Sequence, residues 1–145
     1  MRKILCPAVL AAFLLGPTAG TADSAATTIE RYGLIGTWAS DCAVDVAATR
    51  PGFRIIFAQS GGRPTYTTIS ADGGVRMTIY SAVIGAMPVD GSRLRLLLQI
   101  IGGDRDGGKL PSPTTNAFEQ TIEKLGDERI RLTGAAPQLL ERCRN

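Results

Sequence analysis

Apolar and polar residues alternate along several short stretches of this chain. In residues 53–58, Phe53, Ile55 and Phe57 occupy every second position. Because successive side chains of a strand point to opposite faces, this pattern predicts a half-buried β-strand. The alternation is strongest in residues 93–101, where one face carries the residues Leu94, Leu96, Leu98 and Ile100. Leucine or isoleucine also occurs on the other face of that stretch, which predicts that part of this second face is covered.

Turn-forming residues separate these stretches at short intervals. Glycine supplies the backbone angles that chain reversals need, so Gly61-Gly62 and Gly73-Gly74 predict turns. Asp90-Gly91 is a strong hairpin signal. Strands are therefore expected at about 36–40, 53–58, 65–70, 75–80 and 93–101. Residues 82–89 contain Gly85 and Pro88, which indicates either a bulged continuation of the preceding strand or a separate short one.

Residues 117–125 fit either a strand or a helix, and a strand is favoured because a turn and another alternating stretch follow at once. A two-residue turn would place Ile122 opposite Arg131, whereas a three-residue loop places Ile122 opposite Leu132 and Glu123 opposite Arg131. Apolar pairs and opposite charges across strands are favourable. The sequence therefore predicts the three-residue loop.

The pattern as a whole predicts an all-β fold of seven or eight short strands joined by sequential hairpins. Such a meander is typical of a small antiparallel barrel or sandwich, and it favours an up-and-down barrel because closure removes the exposed edges. The tail 134–145 is expected to contain one short helical turn over Leu139 and Leu140.

Residues 102–116 form a long polar stretch without periodicity and predict a loop. Loops of this length in a compact domain tend to be functional or mobile, so Asp104, Arg105, Asp106 and Lys109 are candidate interaction residues. Residues 103–109 match the spelling of a phosphate-binding loop. However, two prolines follow where a helix is needed, and two carboxylates would repel phosphate. The fragment also lacks the closing glutamate of a calcium loop.

The first 22 residues have the order of a secretory signal: a basic start, an apolar run over 4–15 and a region of small residues. Cleavage is expected after Ala22 or a few residues to either side. We assign 23–34 to a flexible leader, with one short helical turn ending at Gly33 or Gly36, and 35–145 to a single β-domain. Cys6 lies too far upstream to carry a lipid, so no stable membrane anchor is expected.

Removal of the signal changes the charge balance. The whole chain has 16 Lys and Arg against 13 Asp and Glu, and loss of Arg2 and Lys3 leaves 14 against 13. Nucleic-acid binding needs a basic face with excess charge, so a nucleic-acid partner is not expected. The signal segment predicts a periplasmic or secreted location.

Two cysteines remain after the signal is removed, Cys42 and Cys143. In an exported chain such a pair predicts a disulfide rather than a metal site. This bond would tie the two ends of the domain together, and the chain-entropy model assigns about 4.7 kcal/mol to a loop of about 100 residues.

The composition argues against most catalytic chemistry. The chain contains no histidine, which excludes histidine-based triads, general bases and metal ligands. There is no nucleophile elbow of the GxSxG type. Carboxylates are the remaining candidates for catalysis, so we expect a protein that is not an enzyme and needs no cofactor.

The segment Gly36-Thr37-Trp38 resembles the GxW signature of lipocalins. That resemblance implies an eight-stranded barrel in which Trp38 closes one end. The segment from Gly36 to Cys42, together with residues 118–125, 129–132 and 141–143, also resembles small exported proteins of alphaproteobacteria that are functionally uncharacterised. Small periplasmic protease-inhibitor barrels open with a similar strand, but their disulfide is short-range.

Two functions are compatible with this sequence. The first is a non-catalytic β-barrel that binds a small apolar or amphipathic ligand in the cell envelope. The second is a protein-interaction module, such as an inhibitor of an envelope or secreted enzyme, that uses the 102–116 segment on a rigid scaffold.

Overall fold

The computed structural model describes residues 24–44, 46, 50–111, 117–134 and 136–144. One helix precedes a series of antiparallel strands. The elements are α1 (Ala25–Arg31), β1 (Gly36–Ala39), β2 (Gly52–Ser60), β3 (Arg63–Asp72), β4 (Val75–Pro88), β5 (Arg93–Arg105), β6 (Gly108–Lys109), β7 (Ala117–Lys124), β8 (Arg129–Thr133) and β9 (Gln138–Cys143).

Eight of these strands form a closed antiparallel barrel. Each strand pairs with its neighbours in the order β4-β3-β2-β1-β9-β8-β7-β5, and pairing between β4 and β5 closes the ring. The two-residue strand β6 is additional and pairs with the end of β5. The all-β meander predicted from the sequence is confirmed, and of the two predicted architectures the structure has the barrel. Closure leaves none of the eight strands with an unpaired edge.

Alternation along the strands sends apolar side chains into the barrel. Leu94, Leu96 and Leu98 on β5 are fully buried, as are Ile55 and Phe57 on β2, because every second residue of a strand faces inward. The other members of the core come from all parts of the chain: Ile29, Leu34, Trp38, Tyr66, Val83, Ile122, Ile130, Leu132 and Leu140.

The register of the β7–β8 hairpin is the one that the three-residue loop predicted. Ile122 aligns with Leu132, and Glu123 aligns with Arg131. Arg131 and Glu123 form an ion pair of 3.0 Å, whereas Ile122 and Leu132 are buried. One face of the hairpin therefore packs in the core while the other is polar.

Strand β4 is long because it continues through a bulged region. Its pairing with β5 shifts between Tyr80 and Ser81 and again between Val83 and Gly85. Of the two sequence interpretations of residues 82–89, the structure has the bulged continuation. A bulge bends a strand and increases its twist, and here it lies where the barrel closes.

The segment before the barrel contains a longer helix than the sequence suggested. The leader over 23–34 was expected to be flexible apart from one turn near Gly33. In the structure, α1 begins at Ala25 and its N-terminus is capped by Ser24, whose side chain accepts a bond from the backbone of Thr27. Ile29 and Leu34 are buried in the core. Burial of these two residues gives the segment a packed position that their local sequence did not indicate.

Two further expectations were wrong. Residues 102–105 extend β5, and the chain then turns into β6, so part of the predicted loop 102–116 is a hairpin. Residues 112–116 lie outside the described part of the chain. Near the C-terminus, Leu139 and Leu140 lie in β9 and not in a helical turn, because they pair with Arg131 and Ile130 of β8, which holds them extended.

Trp38 fills one end of the barrel beneath α1. Its ring is fully buried, and its indole N–H donates to the Leu34 carbonyl at 2.8 Å. Arg142 aligns with Trp38 on the neighbouring strand, and its Cζ atom lies 4.3 Å from the centre of the indole ring. The Arg142 guanidinium donates to the carbonyls of Gly33, Ile35 and Asp127. The interpretation of Trp38 as the residue that closes one end agrees with this packing.

A disulfide joins Cys42 and Cys143, whose Cα atoms are 5.3 Å apart. Cys143 aligns with Thr37, so by alternation it lies on the outer face, opposite to the side occupied by Trp38. The bond therefore holds the segment that follows β1 against the outside of β9. Disulfides persist in oxidising compartments, so this bond indicates an extracytoplasmic environment.

The candidate signal, residues 1–22, lies outside the described part of the chain. Within the described part, no helix has the length and apolar character needed to span a membrane.

We predict that loss of the disulfide lowers the stability of the barrel. Its two cysteines are separated by 101 positions, and removal of a bond that closes a loop of this size costs about 2–4 kcal/mol. Urea unfolding followed by circular dichroism, with and without a reductant, measures the difference. The double variant Cys42→Ala/Cys143→Ala should unfold like the reduced protein and be insensitive to reductant. Equal urea midpoints for the oxidised and reduced protein would contradict the prediction.

Arg142 is expected to be a stability determinant that lysine cannot replace. Arg142→Lys keeps the charge but removes the planar group that donates to three carbonyls and stacks on Trp38, and we expect a loss of about 2–3 kcal/mol in the free energy of unfolding. The matched control is Arg144→Ala, a neighbouring exposed arginine, for which the change should stay within about 0.5 kcal/mol. Similar losses for both variants would show that the Arg142 contacts have no special role.

Candidate functional site

The two ends of the barrel differ. In an up-and-down barrel successive turns alternate between the ends, so the β4–β5 turn and the β8–β9 turn lie at opposite ends. Helix α1 is at the end of the β4–β5 turn, because the hydroxyl of Tyr32 donates to the Asp90 carbonyl at 2.7 Å. The opposite end contains a cavity of about 420 Å³, whose lining includes Gly134 and Ala136 of the β8–β9 turn.

The cavity reaches from an exposed rim to a buried floor. Phe118 is 39% exposed, and Gly134 and Ala136 are also exposed, so these residues form the rim. Ser81 and Tyr66 are 1% and 2% exposed and therefore lie deep inside. The cavity is therefore open at its rim and closed at its floor by these two buried residues.

The lining is mainly apolar. Among the described residues that line the cavity, none carries an ionised side chain at neutral pH. Large apolar surfaces come from Phe53, Ile79, Ile100, Phe118 and Leu132, and the polar groups are hydroxyls and amides, from Tyr66, Thr68, Ser81, Gln120, Thr133 and Gln138.

Ser81 is the polar residue at the floor that lacks a partner. Its Oγ atom is buried and makes no hydrogen bond within the described part of the chain. A buried polar group without a partner costs about 1–3 kcal/mol, so this position lowers the stability of the fold. The sequence analysis did not single out Ser81. The available signal was a serine between Ile79 and Val83, at an inward position of β4.

Gln120 presents one defined polar atom. Its Nε2 atom donates to the carbonyls of Thr121 and Thr133, both at 2.9 Å. Because carbonyls only accept, these two bonds fix the orientation of the amide, and the side-chain oxygen remains as an acceptor. Gln120 is half-buried and lines the cavity.

Tyr66 combines core packing with a polar tip. Its ring packs edge-on against Phe57, with ring centres 5.1 Å apart. Burial raises the pKa of Tyr66 well above its usual value, because the phenolate would lose its hydration. Its hydroxyl therefore remains protonated under all ordinary conditions.

A second concave surface lies outside the barrel. This outer groove of about 1240 Å³ is formed by outward residues of β2 to β5 together with the β5–β6 hairpin, and its lining includes Ile56, Ile69, Tyr80 and Ile101. It is broader and more open to solvent than the cavity, and its lining mixes apolar and charged side chains.

Three of the four candidate interaction residues line this outer groove: Asp104, Asp106 and Lys109. Asp106 also accepts a bond from the backbone N–H of Arg76 at 2.8 Å, which anchors the hairpin to β4. Arg105 is not part of the groove lining; it aligns with Met77 at the end of β5. The hairpin therefore brings together three of the four predicted residues, and none of them lines the cavity.

The remaining sequence candidates are structural. Trp38 is at the other end of the barrel from the cavity, and Cys42 and Cys143 form the disulfide on the outer surface. No group of three or more acidic or cysteine side chains within the described residues is arranged to hold a metal ion.

No protein-family model matches the chain, and neither a curated protein nor a solved structure does.

We predict that Tyr66 makes stability decrease at alkaline pH. The folded protein holds the Tyr66 proton more tightly than the unfolded chain does, so its contribution to the free energy of unfolding is complete below pH 10.0, the usual pKa of the group. That contribution is lost as pH rises towards the higher pKa of the folded state. Urea unfolding at a series of alkaline pH values should therefore show a steeper loss for the native protein than for Tyr66→Phe. Parallel curves for the two proteins would contradict the prediction.

Proposed function

We propose that this protein is an exported, non-catalytic β-barrel that binds a small apolar or amphipathic ligand in the cell envelope. The observation that carries the proposal is the cavity at the end of the barrel opposite Trp38. Export is supported by the order of residues 1–22 and by the disulfide between Cys42 and Cys143, which requires an oxidising compartment.

The cavity has the size and composition of a small-molecule site. Such sites are commonly about 300–1,000 Å³, mainly apolar, with a few polar groups that fix orientation. The cavity measures about 420 Å³, and its mainly apolar wall contains hydroxyl and amide side chains such as those of Thr68 and Gln120. An apolar molecule that enters it would lose its own contact with water while covering the walls, which is favourable in proportion to the area buried.

The barrel is also suited to holding a preformed cavity. Every one of the eight strands is paired on both sides, one end is filled by Trp38 and α1, and a disulfide fixes the segment that follows β1. A wall that is rigid before binding loses little conformational entropy when the ligand enters. The scaffold therefore supports affinity for a small ligand without a change of fold.

The outer groove favours a second candidate function, a protein-interaction module such as an inhibitor of an envelope or secreted enzyme. Tyr80 and Ile101 are 43% and 54% exposed in it, beside charged residues of the β5–β6 hairpin. Aromatic and apolar residues within a polar border are typical of protein-binding surfaces. This candidate uses the outside of the same strands whose inside lines the cavity.

Two adjacent threonines on β3 distinguish the candidates. Thr68 lines the cavity and Thr67 lines the outer groove, and both are half-buried. Thr68→Phe places a ring in the cavity, so we expect it to weaken binding of the neutral apolar dye N-phenylnaphthylamine by at least about tenfold, which corresponds to about 1.4 kcal/mol. The matched control Thr67→Phe should change dye affinity by less than about twofold. Fluorescence titration measures both.

Native and denaturing mass spectra of the exported protein complete this test. A ligand that is retained in the native spectrum and lost on denaturation should be found on the unsubstituted protein and on Thr67→Phe, and not on Thr68→Phe. If dye binding were lost in Thr67→Phe and kept in Thr68→Phe, with thermal unfolding showing that both variants fold, the site would be the outer groove and the proposal would be wrong.

A further inference from the structure

We infer that the barrel cavity takes a single-chain anionic amphiphile, such as the anion of a medium-chain fatty acid, with its alkyl chain inside and its head group in solvent beside Arg105. This inference rests on the proposed function and adds to it a class of ligand and an orientation. It follows from the register of strands β2 to β5, which places Arg105 on the face of the sheet that lines the cavity.

Residues that align across antiparallel strands share a face of the sheet and form rows. The pairings among β2, β3, β4 and β5 define three consecutive rows on the inner face at this end of the barrel. From the floor outwards, the rows are Phe57, Tyr66, Ser81 and Ile100; then Ile55, Thr68, Ile79 and Gly103; then Phe53, Ser70, Met77 and Arg105. Every row contains cavity-lining residues, and in the outermost row the lining residue is Phe53.

Arg105 therefore lies on the inner face, at the level where the cavity opens. Its neighbours along the chain, Asp104 and Asp106, line the outer groove, and Arg105 does not. Arg105 is a diagonal neighbour of Ile79, which lines the cavity. Diagonal neighbours on adjacent strands are about 7–8 Å apart, which a long side chain covers.

The Arg105 guanidinium is available to an anion. It makes no ion pair within the described part of the chain. Among the described inward residues of β2 to β5, only Asp72 is acidic. It aligns with Val75 of β4, so it lies one row further from the floor and two strands away from Arg105. An arginine binds a carboxylate through parallel N–H donors and repels an ammonium group.

The exposure of Arg105 decides where the head group stays. Arg105 is exposed to solvent, so a carboxylate beside it keeps most of its hydration and avoids the cost of entering an uncharged cavity. The alkyl chain needs no hydrogen bond at the floor, where the Ser81 hydroxyl is covered. The chain gains instead from contact with apolar lining such as Ile79 and Ile100.

The depth of the cavity sets the length of the alkyl chain. Met77 is opposite Arg105, and Ser81 at the floor is four positions further along β4, which corresponds to about 13 Å of strand. With carbon–carbon bonds of about 1.5 Å, an extended chain of about ten carbon atoms has nearly this length. A ten-carbon amphiphile with its head group at Arg105 would therefore reach the floor.

The first experiment compares decanoate with decylamine, which carry opposite charges on one chain length. Each displaces N-phenylnaphthylamine from the full exported protein at neutral pH and about 0.15 M salt, where charges interact over about 8 Å. Both ligands stay below their micellar concentrations. Decanoate should bind at least about fivefold more tightly, because attraction of one head group and repulsion of the other add. This preference should decrease at about 1 M salt.

Reversal of the charge at position 105 tests the head-group contact. In Arg105→Gln the two affinities should lie within about twofold of each other, and in Arg105→Glu decylamine should become the tighter ligand. The matched control is Arg76→Glu. Arg76 is an exposed arginine at the same end of the barrel that lines the outer groove, so this variant should change the preference by less than about twofold. Thermal unfolding shows that each variant folds.

The outcomes separate this inference from the proposed function. If decylamine binds the unsubstituted protein as tightly as decanoate, or if Arg105→Glu keeps the preference for decanoate, the inference is overturned while the ligand-binding barrel stands. If Arg76→Glu changes the preference as much as Arg105→Glu, the head group is not held on the inner face, and the inference is again overturned. If the unsubstituted protein binds neither the dye nor either ligand, the proposed function itself fails.

Discussion

The packing of Trp38 against Arg142 and against the segment between α1 and β1 is the contact on which the barrel depends. The indole N–H donates to the Leu34 carbonyl, and the Arg142 guanidinium on the last strand lies over the ring. Arg142 donates to carbonyls before β1 and in the β7–β8 turn. This one side chain therefore joins the last strand to the segment before the first strand and to the β7–β8 turn. The barrel is closed by strand pairing, but this contact fills and fixes one of its ends.

Filling one end leaves a cavity at the other. The strands are long enough to enclose more volume than their inward side chains occupy, and the excess remains as the cavity opposite Trp38. At that end the inward positions become polar or small, with Ser81 and Thr68 at positions that the core elsewhere gives to leucine or isoleucine. The same wall thus provides stability at one end and, at the other, a cavity whose described lining carries no ionised side chain.

Local pattern was sufficient for most of the strands. Alternation over 53–58 and 93–101 identified β2 and β5, and the balance of cross-strand pairs selected the register of the β7–β8 hairpin, which the structure confirms. The prediction failed where local pattern is weak. Residues 102–105 are rich in glycine and charge, yet they extend β5 because β4 is long enough to pair with them. Leu139 and Leu140 are extended because they pair with β8.

What the sequence by itself determined is the class of the fold and the disulfide between Cys42 and Cys143, because each depends on spacing or residue type. Only the tertiary structure decided that α1 packs into the core, that the candidate interaction residues border an outer groove, and that Ser81 lies without a partner at the floor of a cavity. These features depend on which residues from distant strands meet across the barrel. Alternation specifies that a side chain points inward. Its neighbours inside the barrel depend on how the ring of strands closes and on how Trp38 and Arg142 pack.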